Sequence, residues 1–247
     1  MRLALLADVH SNLEALSACL AHARRQGVDR CAFLGDLVGY NADPRACLDR
    51  VRDEAGRGAI VVRGNHDEAC VGGLIESMNP SAREAIYWTR EQLDAESRDW
   101  LAGLPLLAQA GEASFAHASP ERPEQWIYVT GAESAARGLD AAGTRLVFAG
   151  HVHRAVLYYS SSAGVLRGFH PVPGVTLPLL AGRRWFYVVG SVGQPRDGSI
   201  AANYAIYDAD AATLTHYRVP YDCLKAARKL RAADLPERLA VRLETGY

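Results

Sequence analysis

The sequence lacks the features that mark membrane, secreted and nucleic-acid-binding proteins. No apolar run approaches the ~20 residues of a membrane-spanning helix, and the N-terminal run ends at Asp8, too early for a signal peptide. The net charge is −1, so no overall basic field attracts nucleic acid or anionic lipid. The five cysteines are odd in number and show no CxxC spacing, which indicates reduced thiols. We therefore expect a cytoplasmic protein without a membrane partner.

The length and composition allow a sizeable hydrophobic core. The chain has 247 residues, 49% of them hydrophobic, which suits one large globular domain. There are no internal repeats, low-complexity tracts or obvious linkers. We therefore predict one domain over residues 1–247, and a homo-oligomer stays open.

Five short apolar runs each end in side chains that bind metals. The runs end in Asp8-Val9-His10, Gly35-Asp36, Gly64-Asn65-His66-Asp67, His117 and Gly150-His151-Val152-His153. Short apolar runs bounded by glycine or polar residues are typical of buried strands. Ligand sites of α/β sheets gather beyond the carboxyl ends of the strands. The sequence therefore predicts one site that receives side chains from five strand ends.

The first part of the chain has a β-α-β-α-β rhythm. Strands are predicted at 2–7, 31–34 and 59–62, and helices at about 11–26, with Ser11 as N-cap, and at 45–54. This alternation predicts parallel strands with right-handed crossovers.

The rest of the chain departs from this rhythm. Residues 68–104 read as a helical insertion beside the site, which either packs on the core through Trp88 and Trp100 or forms a wall or lid. A hairpin at 106–117 and a helix at 132–142 follow. Short strands are then predicted at 156–160, 164–168, 185–190, 203–208 and 214–219. They are expected to form an antiparallel or mixed sheet packed on the first, closed by a helix at 221–232.

The donor types indicate a transition-metal site. Carboxylate oxygen, imidazole nitrogen and amide oxygen together suit Zn, Mn, Fe or Ni better than Ca or Mg. A single DxH or GHxH arises easily by chance, and a lone histidine is usually a satisfied polar group. Five such motifs that each close a strand favour metal binding over that structural alternative.

The motif series DxH, GDxx, GNHD/E, isolated H and GHxH resembles the calcineurin-like metallophosphoesterase superfamily. The stretches 87–105 and 190–198 are also similar to those of its small prokaryotic phosphodiesterase-type members. The resemblance implies an α/β fold, a four-layer α-β-β-α sandwich of two mixed sheets. It also implies two divalent metal ions, with manganese among the candidates. One ion would be held by Asp8, His10 and His153, the other by Asn65, His117 and His151, and Asp36 would bridge them.

The resemblance further implies how such a centre would act. Two divalent ions ~3.5–4 Å apart clamp the attacking and leaving oxygens of an in-line phosphoryl displacement and supply the attacking hydroxide. His66 would face the phosphate, either donating a proton to the leaving oxygen or stabilising charge. Asp67 either fixes the His66 ring or caps the following segment.

Four further residues have open roles. Asn12 either contacts substrate or begins a helix, and Arg63 meets either a phosphate oxygen or a carboxylate. Residues 193–198 form either a structural turn or a functional loop, with Arg196 against substrate or Asp197 behind a metal-binding histidine.

One departure from the family bears on the substrate. Protein serine/threonine phosphatases carry GDxVDRG, whereas this chain has Gly39 and Tyr40 in place of the Asp and Arg. A dianionic phosphomonoester on a protein is therefore expected to bind poorly at this site. We predict a hydrolase of phosphoric esters, a phosphodiesterase acting on a small or nucleotide-like phosphoester. The alternatives are a phosphomonoesterase, including a protein phosphatase or dinucleoside-polyphosphate hydrolase, and a non-catalytic metal-binding scaffold.

Overall fold

The strands of the chain lie in two six-stranded sheets. The computed structural model describes residues 1–76, 78–161 and 164–247. In chain order the strands are β1 (Arg2–Leu6), β2 (Arg30–Leu34), β3 (Ile60–Val62), β4 (Leu107–Ala110), β5 (Ala113–Ala116), β6 (Leu146–Ala149), β7 (Val156–Ser160), β8 (Leu166–Phe169), β9 (Thr176–Pro178), β10 (Trp185–Val188), β11 (Ala202–Asp208) and β12 (Thr213–Val219).

Both sheets mix parallel and antiparallel pairs. The first has the order β3-β2-β1-β11-β12-β9 and the second β4-β5-β6-β10-β7-β8. Strands β1, β2 and β3 are parallel as predicted, and β5, β6 and β10 form the parallel part of the second sheet. The expectation that the later strands form a sheet of their own is wrong. Strands β11 and β12 extend the first sheet, because β11 pairs antiparallel with the free edge of β1.

Helices flank the two sheets, some packed on the sheets and others on neighbouring helices. They are α1 (Leu13–Arg25), α2 (Pro44–Gly56), α3 (Asn65–Cys70), α4 (Pro80–Gln92), α5 (Ala95–Ala102), α6 (Ala132–Ala142), α7 (Cys223–Ala232) and α8 (Glu237–Thr245). A short 3-10 helix spans Pro123–Gln125. Among the described residues, no helix is long and apolar enough to cross a lipid bilayer.

The layers follow from alternation within the buried strands. Leu3 and Leu5 of β1 pack between the two sheets, where they share a core with Phe148 of β6. Ala4 and Leu6, which point the other way, pack against α1 and α2. Helix α6 covers the far face of the second sheet. The result is the predicted α-β-β-α sandwich, whose strands are apolar on both faces because both faces are covered.

Two local predictions need correction. The N-cap of α1 is Asn12, whose side chain accepts a hydrogen bond from the Ala15 amide at 3.1 Å, and not Ser11. Helix α8, which packs on α7 through Leu239, Ala240 and Leu243, was not predicted. Apolar residues at helical spacing were the available signal for α8.

The insertion at 68–104 forms α4 and α5 after the short α3. Ile86, Leu93 and Leu101 join the core under α1 and α2, so packing is part of its role. The first turn of α4 also reaches the site, because Ala82 lines a cleft there.

A buried hydrogen bond connects the two sheets. The Tyr187 hydroxyl on β10 lies 2.8 Å from Nδ1 of His216 on β12. Burial lowers the pKa of His216 to about 4, with Arg218 adding to the shift and Asp197 opposing it. Between the ordinary value of 6.5 and about 4, the unfolded chain binds a proton that native His216 does not. The contribution of this contact to stability is therefore lost as the pH falls through that range.

We predict that His216→Asn flattens the pH dependence of stability. Asparagine offers an acceptor to the Tyr187 hydroxyl but does not titrate. As the pH falls from 6.5 to 4, the unfolding free energy of the parent protein should decrease more steeply than that of the variant. The difference in slope should be up to ~1.4 kcal/mol per pH unit. Urea unfolding of both proteins across this range measures the difference. If the unfolding free energies of the two proteins change with pH in parallel, His216 is not buried in its neutral form.

Candidate metal centre

The five strand-end motifs meet at one edge of the sandwich. Strands β1, β2 and β3 of the first sheet and β5 and β6 of the second all end there. Backbone hydrogen bonds join the loops that follow: the His10 amide donates to the Asp36 carbonyl at 2.8 Å, and the Gly150 amide to the His117 carbonyl at 2.9 Å. The structure therefore brings together the side chains that the sequence predicts for one site.

A first cluster surrounds Asp8. Its Oδ1 lies 3.4 Å from Nε2 of His153 and 3.9 Å from Nε2 of His10. The two imidazole nitrogens are 3.2 Å apart, and Oδ2 of Asp36 lies 3.5 Å from His10 Nε2. All four side chains are buried.

A second cluster shares Asp36 with the first. Its Oδ2 lies 3.3 Å from Nε2 of His117. That nitrogen is 3.1 Å from Oδ1 of Asn65 and 3.1 Å from Nδ1 of His151. The same carboxylate oxygen therefore faces both groups of donors.

The spacing of these atoms fits metal coordination. Ligand atoms ~2.1 Å from an ion stand ~3.0 Å apart along an octahedral edge and ~3.4 Å apart along a tetrahedral edge. The donor separations of 3.1–3.5 Å lie close to these edges, whereas that between Asp8 Oδ1 and His10 Nε2 is longer at 3.9 Å. Asp8, His10 and His153 form one group that could hold an ion, and Asp36, His117 and His151 form another. His66, His10 and Asp36 form a third group whose atoms lie close enough together to hold an ion. Geometry alone therefore does not separate His66 from the ligands.

Backbone carbonyls orient three of the imidazoles. Nδ1 of His10 lies 3.2 Å from the Val38 carbonyl, and Nδ1 of His117 lies 2.8 Å from that of Leu34. Nδ1 of His153 lies 2.6 Å from the carbonyl of Gln194. A carbonyl only accepts, so each Nδ1 carries a hydrogen, which leaves each Nε2 as the ring atom that can bind a metal ion.

The backbone at the site adopts conformations that ordinary residues avoid. Five of the clustered residues have left-handed φ angles, namely Asp8 (54°), His10 (48°), Asp36 (52°), His151 (68°) and His153 (62°). Such conformations cost free energy and persist where the surrounding structure enforces them. The tight turns after the strands aim these side chains inward, which hydrophobic periodicity does not reveal.

Burial and charge shift the ionisation of the cluster. Burial opposes ionisation of Asp36, but His117, His66 and His10 hold its pKa well below the usual value. Burial also lowers the pKa of His117, but Asp36 outweighs it and raises that pKa to about 9. Burial raises the pKa of Asp8 to about 7 and lowers that of His66 to about 4. These opposed shifts mark a site where buried carboxylates need cations.

His66 lies against the first cluster. Its ring centroid is 4.7 Å from that of His10 and 4.4 Å from that of Tyr40. A Cβ at Gly39 would stand 2.6 Å from Nδ1 of His66, so only glycine leaves space for the ring. Tyr40 is buried, and its ring also contacts His10 at 4.6 Å.

Two residues whose roles the sequence left open have partners within the protein. Asn12 is buried, and both of its polar atoms bond within the protein, to the Ala15 amide and the Gly193 carbonyl. Nε of Arg63 meets a carboxylate, that of Glu68, at 3.0 Å. Both residues thus have structural partners where contact with substrate was one prediction.

Asp67 caps α3 and does not reach the His66 ring. Its Oδ2 accepts from the Gly64 amide, and its Oδ1 accepts from the amides of Leu37 and Val38. Asp67 thus ties the start of α3 to the loop after β2.

The loop at 190–198 supports the centre through its backbone. The Gly193 amide donates to the Asp8 carbonyl at 2.9 Å, and the Gln194 carbonyl accepts from His153. Asp197 does not lie behind a metal-binding histidine, because it pairs with Arg218 at 2.6 Å. Arg196 is half-buried and lies over the Tyr40 ring, 5.7 Å from its centroid. Burial lowers the pKa of His10 and of His153, and the charge of Arg196 adds to both shifts.

Sequence reasoning missed two neighbours of Arg196. Oε1 of Gln194 accepts from Nη2 of Arg196 at 2.8 Å and lies 3.4 Å from Nη1 of Arg242 on α8. Gln194 lies within the predicted glycine-flanked loop at 193–198 but was given no role of its own, whereas Arg242 lies on the helix that was not predicted.

We predict that Gly64→Ala disturbs the site more than its size suggests. A Cβ at Gly64 would stand 2.2 Å from both the backbone nitrogen and Oδ1 of Asp36. The shared carboxylate must then move, so we expect manganese binding to weaken by at least ~10-fold. Unfolding free energy should fall by ~1–3 kcal/mol. Isothermal titration calorimetry and urea unfolding measure the two effects.

Gly131→Ala is the matched control. Gly131 is also a helix N-cap in extended conformation, but a Cβ there meets nothing within 4 Å. It should leave metal binding unchanged. Equal effects of the two substitutions would contradict the close approach of Gly64 to Asp36.

Similarity to known proteins agrees with this geometry. The sequence model of the calcineurin-like phosphoesterase superfamily domain matches residues 1–212. The chain is 34% identical over 249 residues to an uncharacterized protein of Methanocaldococcus jannaschii, which covers 99% of this chain and 98% of that protein.

Solved structures give the same result. A metallophosphoesterase from Sphaerobacter thermophilus is 41% identical, with a TM-score of 0.89 and full coverage of both chains. A hypothetical protein from Pyrococcus horikoshii has a TM-score of 0.81 at 18% identity, covering 100% of this chain and 98% of that one, which shows a shared fold. The family match and the full-length relatives confirm the resemblance: the chain belongs to the calcineurin-like phosphoesterase superfamily, a family of hydrolases of phosphoester bonds.

Proposed function

We propose that this protein is a metal-dependent phosphodiesterase with a binuclear centre. The observation that carries the proposal is the position of Asp36. One oxygen of its buried carboxylate lies 3.5 Å from His10 Nε2 and 3.3 Å from His117 Nε2, and so faces two separate sets of donors. A carboxylate in this position can hold two cations close together and offset their repulsion.

The proposed ligands divide between two ions. Asp8, His10 and His153 would hold one, and Asn65, His117 and His151 the other, with Asp36 common to both. These donors suit Mn, Fe, Zn or Ni, and cellular supply would decide among them as much as the ligands do. Two such ions, when bound, activate a water molecule and neutralise the charge of the phosphate.

His66 is the proposed catalytic side chain. It lies beside the ligands but its Nδ1 has no hydrogen-bond partner among the described residues. The Asp36 Oδ1 accepts from the His66 backbone amide at 2.8 Å and fixes the start of α3. The ring can therefore turn a nitrogen towards a phosphoester, where it would hydrogen-bond the leaving oxygen or a developing charge.

Arg196 is the proposed cation for the substrate phosphate. Its Nη2 lies 3.3 Å from the Tyr40 hydroxyl and 2.8 Å from Gln194 Oε1. It has no carboxylate within 4 Å among the described residues, so its charge is not used by an internal ion pair. Asn12 and Arg63 were also candidates for substrate contact. Most of their polar side-chain atoms already have partners within the protein.

The arrangement at position 40 favours a diester. Tyr40 provides a buried ring where the related protein phosphatases have an arginine, so position 40 supplies no charge and Arg196 is left as the proposed cation beside the phosphate. A phosphodiester carries a single negative charge and needs less compensation than a monoester dianion. A phosphomonoesterase remains the alternative, and substrate profiling separates the two.

We predict metal-dependent hydrolysis of bis-p-nitrophenyl phosphate. Protein stripped with a chelator should be inactive, and manganese should restore turnover. p-Nitrophenyl phosphate, a monoester, should be a poorer substrate by kcat/KM. Asp36→Asn should lower turnover by at least ~100-fold, because the shared anion is lost.

The control is Asp140→Asn, which removes a largely exposed carboxylate of α6 that pairs with Arg184. It should leave turnover unchanged. No metal-dependent activity towards any ester in a panel that includes Zn, Fe and Ni would favour a non-catalytic scaffold.

We predict that His66→Asn separates catalysis from metal binding. Turnover should fall by ~100-fold or more, since one positioned hydrogen-bond donor to the transition state contributes this much. Metal content, measured by atomic emission, should stay that of the parent protein. His170→Asn, at an exposed histidine whose Nδ1 lies 2.8 Å from the Ala155 carbonyl, is the control. Loss of one metal equivalent in His66→Asn would make His66 a ligand and refute the catalytic role.

A further inference from the structure

A cleft of about 630 Å³ opens onto the candidate metal centre. Its inner end is lined by Asn65, His66 and His151, and its outer part by Trp126 and Tyr128. A space of this size is typical of sites for nucleotide-sized ligands. A phosphoester bound at the metals would therefore extend one substituent along the two aromatic rings.

Tyr128 has one covered face and one open face. Its ring stacks on that of His151, with centroids 3.9 Å apart and planes inclined by 26°. The residue is nevertheless 53% exposed. A ring fixed on one side and open on the other is a platform for a second stacked ring. This contact with a proposed metal ligand also distinguishes Tyr128 from an ordinary exposed surface tyrosine.

Trp126 is held beside this platform by unusual backbone geometry. It follows the 3-10 helix and has a left-handed φ of 54°, which is a costly conformation for a bulky residue. Its ring meets that of His117 edge-on at 5.9 Å. The Ser119 amide bonds to the Ile127 carbonyl at 3.1 Å and fixes the loop between the two aromatics.

The charges around the cleft favour a neutral ring over a second phosphate. Glu124 and Gln125 line the cleft next to Trp126, and both are exposed. Within the described chain no cation lies within 4 Å of the Glu124 carboxylate, so it would repel another anion. Carboxylate and amide groups instead match the donors and acceptors on the edge of a nucleobase.

We propose that Trp126 and Tyr128 form a stacking platform for a nucleobase, so that the substrates are phosphoesters of nucleosides. The inference rests on the proposed function only for the position of the phosphate. Stacking on aromatic side chains tolerates different bases, because every base has a π face. The platform therefore selects nucleosides as a class and does not choose one base.

Direct binding of a matched pair of ligands tests the platform. AMP and ribose 5-phosphate carry the same sugar and phosphate and differ only in the base. Both are titrated calorimetrically into the manganese-loaded full-length protein, so the readout does not depend on turnover. We expect AMP to bind about 5- to 100-fold more tightly than ribose 5-phosphate.

Substitutions then assign the difference to the two rings. Tyr128→Leu and Trp126→Leu should each remove most of the advantage of AMP, while ribose 5-phosphate keeps its affinity. Tyr128→Phe should retain the advantage, because stacking needs the ring and not the hydroxyl. Tyr87→Leu is the matched control, since Tyr87 on α4 is 56% exposed but does not line the cleft. Metal content of each variant is measured in parallel.

The possible results separate this inference from the proposed function. Equal affinities of AMP and ribose 5-phosphate for the parent protein would overturn the platform, even if phosphodiesters are hydrolysed. An advantage of AMP that survives both leucine substitutions, or is lost equally in Tyr87→Leu, would overturn it too. An advantage of AMP that depends on both rings would support the platform even if bis-p-nitrophenyl phosphate is not hydrolysed.

Discussion

The shared carboxylate of Asp36 is the constraint on which the rest of the site depends. A buried anion is costly unless positive charge or strong donors surround it. Here the surroundings are imidazoles from both sheets, His10 on one side and His117 on the other. The charge of His117 keeps Asp36 ionised, and the two residues shift each other's pKa in opposite directions. Divalent cations at the same edge would replace the protons that satisfy this charge.

The sandwich supplies the rigidity that such a site needs. Donors from separate loops must stay within a few tenths of an ångström of their positions, and loops alone rarely hold them so well. Each loop here leaves a buried strand, and hydrogen bonds such as that from the His10 amide to the Asp36 carbonyl tie the loops together. The left-handed residues at the strand ends store strain, which the packed sheets beneath them offset.

The departures at positions 39 and 40 reorganise the phosphate side of the site. Gly39 lets the His66 ring approach the loop after β2, and Tyr40 fills the space beside it with a buried ring. A distant part of the sequence supplies a positive charge beside Tyr40, since the Arg196 guanidinium lies over its ring. The proposed preference for a phosphodiester rests on this arrangement of charge.

The sequence by itself indicated most of the strands, their parallel direction in the first part of the chain and the side chains that meet at the candidate metal centre. Buried runs such as 2–6 and metal-binding side chains at their ends are local patterns, so one sequence suffices to read them. Only the tertiary structure decided that β11 pairs with β1, that Asn12 and Arg63 bond within the protein, and that Tyr128 stacks on His151. These contacts join residues far apart in the chain or depend on backbone angles, and hydrophobic periodicity carries information about neither.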